Sequence, residues 1–244
     1  MERNGKSFLA VVIASAMVFS TLVAAGAFVY TRKSQPSGGT ISVTGSAKEQ
    51  IRSDRAVWRC GYSAQATTLT EASAELKTHY ANVRKFLIDN GISESEMTQQ
   101  AISTYTLYVR DGYYDTNRIE GYRLSQIVEV QTDDVDKVFD VSKKITELID
   151  KGVTIESYPA QYYYTKLADL KIDMIAKATK DALDRAEKVA SNANAKIKGM
   201  KSSRVGVFQI TPLYSNEISD YGINDTSSID KEIMAVMNCE FKTK

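Results

Sequence analysis

The chain carries one histidine, His79, two cysteines, Cys60 and Cys239, three prolines and one tryptophan, Trp58. So small a supply of His and Cys excludes the usual zinc centres, because structural zinc takes four such side chains and catalytic zinc three protein ligands. No Cys-x-x-Cys pair is present to run thiol–disulfide exchange. A Ser-His-Asp triad would have only His79 to draw on, and no Gly-x-Ser-x-Gly elbow presents a serine. Charge of one sign is also missing. Setting aside Arg3, Lys6, Arg32, Lys33 and Glu2 leaves 27 basic against 29 acidic residues, a formal charge of −2. That balance offers no footprint for nucleic acid or anionic lipid. The residues point to no catalytic set, no metal and no cofactor. Composition is silent only on paired carboxylates of the glycosidase kind, so an extracytoplasmic hydrolase is the weakest alternative.

The longest feature present is Phe8 to Tyr30, 23 residues without a charge. That is enough to cross a bilayer core as helix. Arg3 and Lys6 before it, and Ala25-Gly26-Ala27 near its end, also fit a cleaved signal peptide, although the run exceeds the usual apolar region. Retained anchor is the preferred reading, with the large domain on the extracytoplasmic side of the cell membrane, periplasmic or extracellular. The expected organisation is an anchor or signal over 1–33, a flexible linker over 34–40, and a folded domain over 41–244.

Within that domain the apolar periods alternate between two and 3.6. Ile41 to Ala47 reads as a strand, and a second strand places Ala56, Trp58, Cys60 and Tyr62 on one face. Thr67 to Asn90 carries Leu69, Ala72, Leu76, Tyr80, Val83 and Leu87 in a helical stripe, with Thr68 and Glu71 at capping-box spacing. His79 lies beside that stripe as an ordinary boundary residue. Met97–Arg110 and Ile119–Val130 are expected as strands joined by a loop over 111–118, whose tyrosines either cover a sheet end or bind a partner. A second helix is expected over 134–151 and strand-like segments over 153–165. Leu87-Ile88-Asp89-Asn90-Gly91-Ile92-Ser93 is echoed by Leu148-Ile149-Asp150-Lys151-Gly152-Val153-Thr154, which suggests duplicated helix–strand units on one sheet. The third helix, expected over 167–196 with Gly199 after it, repeats Ala178, Ala182, Ala186 and Ala190 at every fourth position. Such a narrow face either lies on a sheet or serves self-association. Strands over 201–210 and 233–241 flank a polar segment, 211–230. Its Glu217, Asp220, Asp225 and Asp230 fit no EF-hand spacing. Cys60 and Cys239 fall on apolar strand faces, open to a disulfide or to two inert thiols.

Ile41-Ser42-Val43-Thr44-Gly45, Gly121-Tyr122-Arg123, the Ala182 to Ala190 helix and the order of elements together resemble the SIMPL-domain family, the YggE-like bacterial envelope proteins that include the periplasmic immunogenic protein. The resemblance implies an α+β fold, a mostly antiparallel sheet packed by three helices, here preceded by one transmembrane helix. It also implies no established enzymatic activity, a link in some members to oxidative-stress defence, and ring-like or channel-like oligomers in others. Gly45, Gly121 and Tyr122 would be structural positions. The expected function is a non-enzymatic, membrane-anchored envelope module acting by self-assembly into a homo-oligomer or by binding a protein partner. A redox-sensing or ligand-binding domain using Cys60 and Cys239 is the alternative.

Overall fold

The computed structural model describes residues 17, 19–27, 39–112 and 114–244. The span expected over 8–30 lies largely outside them. Among the described residues no helix is long and apolar enough to cross a membrane. The strands are β1 (Thr40–Arg52), β2 (Arg55–Ala66), β3 (Met97–Gln99), β4 (Ser103–Asp111), β5 (Tyr114–Thr132), β6 (Thr154–Ser157), β7 (Gln161–Tyr163), β8 (Ile197–Val205), β9 (Gln209–Pro212), β10 (Ile223–Asn224) and β11 (Asp230–Thr243). The helices that alternate with them are α1 (Leu69–Asp89), α2 (Val135–Lys144) and α3 (Leu167–Asn192).

The fold is α+β, with two sheets in place of the single sheet expected. One runs β3-β5-β2-β6, with β4 also on β5 and β7 also on β2; the other runs β1-β11-β9-β10, with β8 also on β11. Every pairing in the six-stranded sheet is antiparallel, whereas β10 lies parallel to β9. By its contacts the chain divides into two compact units, 44–182 with 204–238, and the described residues up to 43 with 183–203 and 239–244.

In the larger unit, β2 buries Ala56, Trp58, Cys60, Tyr62 and Ala64, the alternate positions read from the sequence. They meet Ala72, Leu76, Val83, Phe86 and Leu87 of α1 and Val135, Val138 and Val141 of α2 in one core. Each fully buried aliphatic side chain there contributes about 1.5–3 kcal/mol. The capping box of α1 forms as expected, the Thr68 side chain accepting from Glu71 N. Leu69 departs from the stripe and is exposed. α2 stops at Lys144 and continues to Lys151 as a 3-10 helix, where one regular helix was expected.

The sequence echo is an echo in three dimensions. Ile92 N donates to Leu87 O and Gly91 N to Ile88 O; Val153 N donates to Leu148 O and Gly152 N to Ile149 O. Both glycines are left-handed, at φ +84° and +76°, as the closing residue of this cap requires. The segments that follow, β3 and β6, occupy opposite sides of the β5–β2 pair, so the duplicated units do share one sheet. α3 closes in the same way, four residues before the expected end. Ala195 N donates to Ala190 O and Asn194 N to Ser191 O, with Asn194 at φ 57° where the other two use glycine.

In the larger unit Gly45 of β1 lies directly on α3: a β-carbon there would meet Ala178 O at 2.2 Å and Ala182 N at 2.4 Å. Ala178, Ala182, Ala186 and Ala190 are all buried. At Ala178 and Ala182 the small side chains admit the protein's own strand at Gly45. In the smaller unit Thr243 N donates to Gly39 O at 2.9 Å, Lys244 N donates to Lys196 O at 2.9 Å, and Lys201 pairs with Glu240 at 3.0 Å.

Candidate functional site

β4 and β5 form a hairpin that outruns its sheet. Between Tyr122 and Thr132, β5 has β2 on one side and β4 and β3 on the other; from Tyr114 to Gly121, β4 is its only described partner. This arm reaches about 25 Å at the usual strand rise. It leaves the sheet at Gly121, where a β-carbon would stand 2.5 Å from Ala66 O, so only glycine lets β5 pass the end of β2. The turn is two residues long, Asp111 pairing with Tyr114 and Gly112 at φ +63°. Of the loop expected over 111–118, Asp111 and the residues from Tyr114 on are therefore strand, and Gly112 supplies the left-handed residue of the tight turn. Thr116 Oγ1 donates to Val109 O at 2.6 Å where the register shifts. Tyr108, Tyr114 and Ile119 on the arm are 42 %, 81 % and 53 % exposed.

At the base of the arm, the face of the six-stranded sheet opposite the core is a groove of about 710 Å³. Its floor follows from strand register. Ser63 faces Thr154 on one side and Ser125 on the other, and Ser125 faces Ser103, so four hydroxyl-bearing residues form a row across β6, β2, β5 and β4. Ser63 and Ser125 are half-buried, and Thr154 and Ser103 exposed. Beside the row lies Gly61, with Tyr158 Cε2 at 3.6 Å from where its β-carbon would be. Tyr105 and Leu107 of β4 line the groove as well. Burial first, then the neighbouring Glu156 and Tyr105, raise the pKa of the Tyr158 hydroxyl. Arg123 also lines the groove, and its Nη2 donates to Gln65 Oε1 at 3.3 Å. A second hollow of about 430 Å³ shares Ile127 and Tyr158 with the first.

Of the titratable groups singled out in the sequence, His79, Asp225 and Asp230 have structural partners. The Nδ1 of His79 lies 3.0 Å from the main-chain oxygen of Ser63, and its Nε2 is 3.7 Å from Glu75 Oε1. Cys60 and Cys239 are both buried free thiols, one in the six-stranded and one in the five-stranded sheet. Burial pushes the Cys60 thiol up to about 12, the reverse of what a reactive thiol needs. Asp225 accepts from Ser227 and Ser228, and Asp230 pairs with Arg52 at 3.0 Å. No group of three or more His, Cys, Asp or Glu gathers among the described residues. Composition alone did not single out Lys231, which is buried. Its Nζ donates to Tyr162 O at 2.6 Å and to Asp225 O, stapling three segments, and burial lowers its pKa against the pull of Asp225.

The family model for SIMPL, described as a protein of unknown function (DUF541), matches residues 41–235. The chain belongs to the SIMPL family. No curated protein matches it. The matched stretch of this SIMPL protein takes in the arm, the groove and both Gly45 and Gly121, which the structure shows to be positions of close backbone approach.

Proposed function

We propose that this SIMPL protein is a non-enzymatic contact module, held at the cell membrane by residues 8–30 with its large domain on the extracytoplasmic side. It works by assembling with copies of itself or by engaging a protein partner, in the service of the envelope. The observation that carries the reading is the arm. A two-stranded hairpin is at best marginally stable in water unless a third strand or a packing surface supports it. Here the segment beyond Tyr122 has no third described strand and exposes Tyr108, Tyr114 and Ile119. Exposed aromatic side chains of this kind suit a contact that covers them.

Light scattering on the full chain in detergent tests the self-assembly branch, with the Tyr108→Ser/Tyr114→Ser/Ile119→Ser variant beside it. A multi-subunit mass that falls to the monomer in the variant is the expected result. A monomer at high concentration, together with no arm-dependent partner on cross-linking in intact membranes, contradicts the proposal.

A further inference from the structure

We infer that the open face of the six-stranded sheet binds a neutral oligosaccharide laid across the strands, on the hydroxyl row Thr154, Ser63, Ser125, Ser103 and between Tyr105 and Tyr158. The row is continuous because the registers of β6, β2, β5 and β4 coincide at these four positions. At the usual spacing between strands its ends are about 14 Å apart, which suits a short run of sugar rings better than a single one. None of the four hydroxyls hydrogen-bonds another described residue. Each is therefore free to donate and to accept, as sugar hydroxyls also do.

Gly61 leaves the floor beside the row low, and the two tyrosines supply flat apolar surface with a polar tip, suited to the C–H face of a sugar ring. Charge does not single out an ionic ligand. Arg123 and Glu156 both line the groove, and Arg123 is engaged by Gln65. A peptide added as a strand is disfavoured, because the floor presents side chains of β2 and β5, whose backbone edges are already paired along the row. The inference is independent of the arm beyond Leu107.

Calorimetry on the full chain, in a detergent without a sugar headgroup, tests it with cellohexaose and chitohexaose as probes. Saturable binding of at least one is expected, weakened about tenfold or more by Ser63→Val/Ser125→Val and by Tyr158→Ala, and unchanged by Tyr114→Ser. The valine pair keeps strand-favouring residues at both positions, and circular dichroism checks that it folds. Absence of binding by either probe at millimolar concentration overturns the inference. So does binding that the valine pair leaves intact, or occupation of the groove by a synthetic peptide of residues 107–121 in place of sugar.

Discussion

Gly45 and Ala182 approach so closely that a β-carbon on Gly45 would lie 2.4 Å from the Ala182 backbone nitrogen and 2.7 Å from its methyl group. The nearest obstacles are backbone atoms of α3, which cannot turn aside as a side chain can. Gly45→Ala should therefore cost about 3 kcal/mol or more, read by chemical denaturation. Ala182→Gly in the same protein should not restore the loss, since the Ala178 carbonyl at 2.2 Å remains. A Gly45→Ala protein as stable as the parent would show that β1 does not lie on this helix.

The three helix ends make a graded test of backbone conformation. Gly91→Ala and Gly152→Ala each force a β-carbon into left-handed geometry and should cost about 1–2 kcal/mol. Asn194→Gly should be neutral or stabilising, because the same cap at φ 57° then carries no side chain. Denaturation curves for the three single variants decide it. Loss of stability in Asn194→Gly, with none in the other two, would contradict the shared cap.

Those caps also show what sequence could disclose. Gly91 and Gly152 stood out because a helix stop is local chemistry, and the faces of β2 and α1 because periodicity is local too. Asn194 was passed over for Gly199, although asparagine is the other residue that tolerates the left-handed region. The division into two sheets was not legible, since it depends on which distant strands pair. The hydroxyl row was not legible for the same reason: Ser63, Ser125, Ser103 and Thr154 come together only through strand register. The alanine repeat left open whether a sheet or another copy lies on it, and sequence spacing could not show that Gly45 of the same chain meets Ala178 and Ala182.

Alkaline pH should find the buried thiol. The folded pKa of Cys60 is raised to about 12 from 9.0, and that of Tyr62 to about 12 from 10.0, burial being the first cause of each. Above pH 9 the unfolded state releases these protons before the folded state does. Stability should then decline toward pH 12, by at most about 1.4 kcal/mol per pH unit for each group. Lys231 acts in the opposite sense, because its lowered pKa relieves a burial cost as pH rises toward 10.5. Comparison with Cys60→Ala isolates the thiol. The variant should be less stable at neutral pH but decline less steeply above pH 9, and parallel declines would contradict the burial assigned to Cys60.

The central claim is that the arm beyond Tyr122 works covered by another molecule. Amide hydrogen exchange over residues 107–121, in the full chain in membranes, tests it most directly. The account predicts slow exchange there, which becomes fast in the Tyr108→Ser/Tyr114→Ser/Ile119→Ser variant while β2 and α1 stay protected. Fast exchange along the arm of the unaltered protein, at every concentration and in its own membrane, would contradict it.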